Sequence, residues 1–147
     1  MHKYSIQHDR CQPCRPHLKY DFDPCQVATM SEAAIAKAMI NPAIVRNRLK
    51  IRATVTNARA FLRLQEKHES FDAFIWAFTE GRVIHNHWRT ADAVPVTTVL
   101  SDTVSKTMKK AGFSFAGSTI CYSFLQAAGV VNDHLVSCFR HKELMVS

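Results

Sequence analysis

From Asp21 onward, apolar residues recur three and four positions apart, the period of a helix with one buried face. Asp23-Pro24 predicts a capped first turn with proline where its missing N–H costs nothing. Ser31 ahead of Ala34, Ile35, Ala38 and Met39 predicts an N-capped helix that stops at Asn41-Pro42. A long helix is predicted from Ile44 to Lys67, with Ile51, Val55, Ala58 and Leu62 on one face. Ser70 caps a further helix with Phe71, Phe74, Ile75 and Phe78 inside. Residues 80–99 read as loop, with Gly81, Pro95 and a β-branched stretch. Ser101 or Asp102 starts a helix that ends in Lys109-Lys110-Ala111-Gly112, and a short connector runs from Phe113 to Gly117. The next helix, Thr119 to Ala128, places Ile120, Phe124 and Leu125 among its apolar positions and ends at Gly129. Final helical turns carry His134 and Cys138. The expected fold class is all-α, with residues 21–138 as one helical domain and residues 139–147 as a tail.

Residues 1–20 break this pattern. They hold His2, His8, Cys11, Pro13, Cys14, Pro16 and His17 with almost no apolar periodicity, so an irregular segment is expected there. The whole chain has 147 residues, 47% of them hydrophobic and 21% charged, enough to build a core and unlike a disordered tail. Four glycines and five prolines leave few turns, which favours helices. Five cysteines at irregular spacing do not form a complete disulfide framework, and a reducing, cytoplasmic setting is expected. No run of 18 apolar residues and no secretory h-region is present, so no membrane association is expected.

The net charge of +7 changes the picture by pointing to a polyanion. Arg46, Arg48, Lys50, Arg52, Arg59, Arg63 and Lys67 stand against the single acid Glu66 in the long helix, and like charges four apart repel unless a polyanion or solvent screens them. The connector adds a second basic locus. Gly112 and Gly117 bracket Phe113-Ser114-Phe115-Ala116, and the N–H groups opening the next helix, from Ser118, suit a phosphate. Lys106, Lys109 and Lys110 stand just ahead of it. The candidate DNA-binding set is therefore Lys106, Lys109, Lys110, Gly112, Phe113, Phe115, Gly117 and Ser118; the same spacing also suits a plain αα-hairpin with aromatic packing. Trp76, Trp88 and Tyr122 suit base stacking or core packing. His134-x-x-x-Cys138 puts two zinc ligands on one helical face, or a capping histidine beside a buried thiol. Cys11, Cys14 and His17 are the other candidate ligands. No phosphate-binding glycine loop, nucleophile elbow or H-E-x-x-H motif occurs, so no catalytic residue is assigned.

Three stretches together resemble the DNA-3-methyladenine glycosylase I family. One runs from Phe22-Asp23-Pro24 through Ile44-Val45-Arg46-Asn47-Arg48-Leu49-Lys50-Ile51 to Asn57-Ala58-Arg59-Ala60. The second is Ser105-Lys106 through Lys109-Lys110-Ala111-Gly112-Phe113. The third is Phe115-Ala116-Gly117 through Tyr122-Ser123-Phe124-Leu125-Gln126-Ala127-Ala128-Gly129-Val130-Val131-Asn132-Asp133-His134. The resemblance implies a helix-hairpin-helix glycosylase-like domain, duplex DNA with alkylated bases as partner, and excision of 3-methyladenine by N-glycosidic hydrolysis in base excision repair. It also implies a structural zinc that clasps the chain ends, with His134 and Cys138 matching the C-terminal ligand pair. The family's N-terminal motif, L-E-x-x-x-A-G-L-S-W, carries a base-recognising Glu and a stacking Trp. Here no Glu precedes Glu32 and no Trp precedes Trp76. The resemblance therefore implies a member incomplete or altered at its N-terminus. In such a member the apolar faces Ile51–Leu62 and Phe71–Phe78 are expected to lack partners. The residues themselves leave two readings of the metal site: Cys11 and Cys14 join His134 and Cys138 as a Cys₃His set, or His134 and Cys138 keep only a half-site. The alternative function is a non-catalytic DNA-binding remnant with a structural zinc.

Overall fold

The structure, a computed structural model, describes residues 23–145. The expectations for residues 1–20, including those for Cys11, Cys14 and His17, lie outside the described residues. Seven helices follow one another in this region: α1 (Pro24–Ala28), α2 (Glu32–Ile40), α3 (Arg48–His68), α4 (Phe71–Trp76), α5 (Val99–Lys110), α6 (Ser118–Ala127) and α7 (Phe139–Glu143). The expected helical class holds, with one small addition. β1 (Ile84–His85) and β2 (Val131–Asn132) form a parallel two-residue bridge, with Ile84 opposite Val131 and His85 opposite Asn132. Periodicity has no power to reveal a bridge this short.

The caps explain where the helices begin. Asp23 accepts from the Cys25 N–H, Ser31 from Ala34, and Ser70 from Ala73, as their positions predict. Two starts differ from expectation. The long helix begins at Arg48 rather than Ile44, because Asn47 turns extended and its side chain accepts from the Lys50 N–H. α5 begins at Val99 rather than near Ser101. Thr98 is its N-cap, and Ser101 closes a reciprocal capping box by accepting from the Thr98 N–H.

α3, 21 residues and about 31 Å long, is the spine. Its C-terminal half meets α4, α5 and α6 around a core that includes Leu64, Phe74, Ile75, Val104, Tyr122, Leu125 and Val130. Phe71 links the aromatic side of this core, with ring centroids 5.2 Å from Phe61, 6.0 Å from Phe124 and 6.2 Å from Phe113. A second, smaller cluster joins Val27 and Ala28 of α1 to Ala58, with Met30 and Leu62 at its edge. The two apolar faces expected to lack partners thus have them: α1 covers Ala58 and Leu62, and the main core takes Phe74 and Ile75. Ser101 and Ser105, both buried, face α6 from α5; their small side chains let the two helices approach closely.

Leu125 has no exposed surface and sits at the centre of the main core. Leu125→Ala removes those contacts and leaves a cavity, so it is expected to destabilise the chain by about 2–5 kcal/mol. Urea unfolding followed by circular dichroism checks this; an unchanged midpoint contradicts the packing described.

Candidate functional site

The 112–117 connector is bonded to α3 and α5. Gly112 adopts φ +98, which a side chain tolerates poorly, and a Cβ there would meet the Arg63 guanidinium at 2.9 Å. Asn57 on α3 holds Ser114 from both sides: its Oδ1 accepts from the Ser114 N–H at 2.8 Å and its Nδ2 donates to the Ser114 carbonyl at 3.1 Å. Ser105 donates to the carbonyl of Ala116 at 2.6 Å, and Ala116 is buried. Phe115 lies between these two pinned residues. It is 58% exposed and adopts φ +58, a left-handed backbone that costs a non-glycine residue about 1 kcal/mol or more.

α6 begins straight after Gly117, which supplies no side-chain cap. The first intrahelical bond runs from the Cys121 N–H to the Gly117 carbonyl, so the N–H groups of Ser118, Thr119 and Ile120 open outward from the helix end. Lys106, Lys109 and Lys110 are exposed on the last turns of α5. The structure divides the remaining sequence candidates. Phe113 turns inward against the aromatic core, and the Ser118 hydroxyl pairs with Ser101 Oγ at 2.8 Å, leaving Ser118 only its backbone N–H for a ligand. The nearby thiol of Cys121 is pushed upward by burial, against smaller opposing effects of Lys109 and Ser105, and stays protonated.

Three of the seven basic residues of the 44–67 stretch serve the fold. Arg52 pairs with Glu32 at 2.8 Å, Arg59 donates to the Ala28 carbonyl at the end of α1, and Arg63 donates to the Ala111 carbonyl at the end of α5. Guanidinium groups thereby satisfy carbonyls that helix ends leave open. An apolar cleft of about 210 Å³ is lined by Pro24, Val27, Thr54, Asn57, Ala58, Phe61 and Phe113.

At the other end of α6, Asp133 joins three segments. Its Oδ1 accepts from Asn86 Nδ2 and Trp88 Nε1, each at 2.7 Å; its Oδ2 accepts from Gln126 Nε2 at 2.7 Å and from the Tyr122 hydroxyl. Burial works against ionisation, but the four donors outweigh it and hold the carboxyl below its usual range. The Tyr122 hydroxyl is pushed strongly upward, first by burial and then by the bond to Asp133 and its charge. Tyr122 and Trp88 are therefore tied to Asp133, and Trp76 packs against the main core. The carboxylate was missed in the sequence because its four donors lie 7 to 47 residues away.

His134 and Cys138 do not share a helix, contrary to the sequence expectation. Residues 131–132 form β2, a turn follows, and Cys138 is the N-cap of α7. The helical reading fails because buried Asn132 captures the local backbone. Its Oδ1 accepts from the His134 N–H, while its Nδ2 reaches the His141 carbonyl. The turn still brings the pair together, with Cys138 Sγ 3.8 Å from His134 Nδ1. Tetrahedral zinc holds sulfur and nitrogen ligands about 3.6 Å apart, so the two side chains fit adjacent positions on one ion. No group of three or more His, Cys, Asp or Glu side chains converges on a metal position among the described residues.

Asp133→Asn turns an amide NH₂ toward two of the four donors whichever way it rotates. It is expected to cost about 1–3 kcal/mol at neutral pH. Because the folded carboxyl titrates below its unfolded value, this advantage of the parent chain is complete above about pH 4 and fades as pH falls through the folded value. Denaturation of both proteins across that range checks the sign; a gap that widens in acid contradicts it.

Comparison with known proteins places this architecture. The sequence profile of the methyladenine glycosylase family matches residues 15–141. DNA-3-methyladenine glycosylase 1 of Escherichia coli is 43% identical over 119 residues, which cover 81% of this chain and 64% of that protein. The Haemophilus influenzae DNA-3-methyladenine glycosylase is 40% identical over the same shares of each chain. A crystal structure of 3-methyladenine DNA glycosylase I superposes with a TM-score of 0.77 at 43% identity, over 82% of this chain and 66% of the other. The Staphylococcus aureus enzyme, solved in a study of how it recognises 3-methyladenine, gives 0.78 at 33% identity, over 82% and 64%. Matched along most of its length by the family profile, and 43% and 40% identical to two of the family's proteins, the chain belongs to the methyladenine glycosylase family.

Proposed function

We propose that this chain binds duplex DNA through the 112–117 connector and acts in the excision of 3-methyladenine from alkylated DNA. It spans 64% of the length of the two curated relatives it matches, so the activity is inferred from the shared family together with this chain's own geometry. The observation that carries the reading is the α5–connector–α6 unit. A backbone locked by Asn57 and Ser105 presents the open N–H groups of Ser118 to Ile120 beside three exposed lysines. Those N–H groups and the helix dipole suit a phosphate, and the lysines add Coulomb attraction to the duplex.

Excision needs the damaged base turned out of the stack, at a cost of a few kcal/mol, roughly. Methylation at N3 leaves the base cationic. As water adds to the sugar C1′, the C1′–N9 bond breaks, its electron pair neutralises the departing base, and the water proton passes to solvent. A good leaving group asks the protein for grip and electrostatic support more than for a strong base. Asp133 is unsuited to activate water, because both its oxygens are committed to donors and its carboxyl titrates low. On the same reading His134 and Cys138 form half of a structural zinc site.

Three measurements test this. The 147-residue chain is expected to bind a DNA duplex with an affinity that falls steeply with salt, and replacing Lys106, Lys109 and Lys110 by Ala is expected to flatten that slope by about 1 for each lysine that meets a phosphate. Release of 3-methyladenine from alkylated DNA above a protein-free control supports excision; salt-dependent binding without release identifies a DNA-binding protein only. Metal analysis is expected to find one zinc per chain, lost in His134→Ala; no zinc in the parent chain rejects the site.

A further inference from the structure

Phe115 has a feature that phosphate binding does not use. The residues on either side of it are pinned inward, Ser114 by Asn57 and Ala116 by Ser105, and Ala116 is buried. Between them Phe115 takes the left-handed backbone at φ +58 and carries an aromatic ring that is 58% exposed. Glycine is the residue that holds this backbone without strain, and the chain uses it at Gly112 and Gly129. An aromatic side chain at such a position is held by its surroundings against its own preference, and strain of this kind gathers where a surface meets a ligand. Among the described residues the aromatic contacts of the core run through Phe61, Phe71, Phe74, Phe78, Phe113 and Phe124, not through Phe115.

We propose that Phe115 makes an apolar contact with the DNA duplex, packing its ring on the deoxyribose and base edges next to the phosphate taken by the N-terminus of α6. This rests on the connector being the DNA interface. Charge complementarity selects DNA as the occupant: the ring stands three residues before the start of α6, whose first N–H groups are open, and the preceding helix ends in exposed Lys106, Lys109 and Lys110. An aromatic or aliphatic side chain set among phosphate contacts is a recurrent way for proteins to grip a duplex without reading its sequence.

The contact is apolar, so its loss has a signature that loss of a lysine does not share. With the full 147-residue chain and a fluorescein-labelled duplex, Phe115→Gly is expected to weaken binding about tenfold at every salt concentration with an unchanged slope of log Kd against log salt. Its thermal midpoint is expected to equal or exceed that of the parent, because glycine adopts the left-handed backbone freely. Phe115→Tyr, which keeps the ring, is expected to bind like the parent. Unchanged affinity in Phe115→Gly overturns the proposal, as does a flattened salt slope or a lowered thermal midpoint, since the last marks Phe115 as a packing residue. If Phe115→Gly binds normally while the Lys106, Lys109 and Lys110 variant does not, the DNA interface stands and the role of Phe115 falls. If the parent chain does not bind the duplex, both fall.

Discussion

The paired hydrogen bonds between the Asn57 side chain and the backbone of Ser114 are the constraint on which the rest depends. They join the middle of the longest helix to a connector 57 residues further along the chain, and they do so through one planar amide with a donor and an acceptor side by side. Arg63, six residues on, fixes the end of α5 through the Ala111 carbonyl, and Arg59 fixes the end of α1 through the Ala28 carbonyl. One helix thus sets the positions of both neighbouring chain reversals. Packing alone leaves such loops free to shift against an apolar surface; directional bonds from a helix do not.

This changes the meaning of the positive charge. In composition, the basic residues of α3 read as a continuous surface for a polyanion. In three dimensions Arg52, Arg59 and Arg63 are engaged within the protein, and the open charge nearest the connector comes from the lysines of α5. Arginine suits the internal work because its planar fork reaches carbonyls at a distance with fixed direction. Lysine, a mobile point charge, suits a surface that meets phosphates in varied geometry. Around the connector, then, arginines bond within the protein while the lysines of α5 stay open to solvent.

Most helices were legible because their signals are local. Asp23, Ser31 and Ser70 cap the turns they were expected to cap, and the stripe through Val55 and Ala58 is buried. What escaped was non-local or competitive. Ser101 looks like a helix start but is the third residue of α5, closing a box opened by Thr98. His134 and Cys138 have helical spacing and nevertheless lie in a turn, because Asn132 bonds the backbone first. Asp133 gave no sign of its four donors, which come from Asn86, Trp88, Tyr122 and Gln126. The sequence shows a connector between two helices at 112–117 but not which way its rings face: Phe113 faces the core and Phe115 faces out.

The two-residue parallel bridge carries a consequence for the order of folding. Ile84 and Val131 stand 47 residues apart, and the α5–connector–α6 unit lies wholly within the loop they close. That unit is built from near neighbours in sequence and can form early, whereas the bridge must wait until the entropy of closing a long loop is recovered. The turn that brings His134 to Cys138 begins directly after β2. The turn itself is local, but its place against residues 84–86 depends on the bridge, so that a metal ion bound there would hold the long closure in place rather than start the fold.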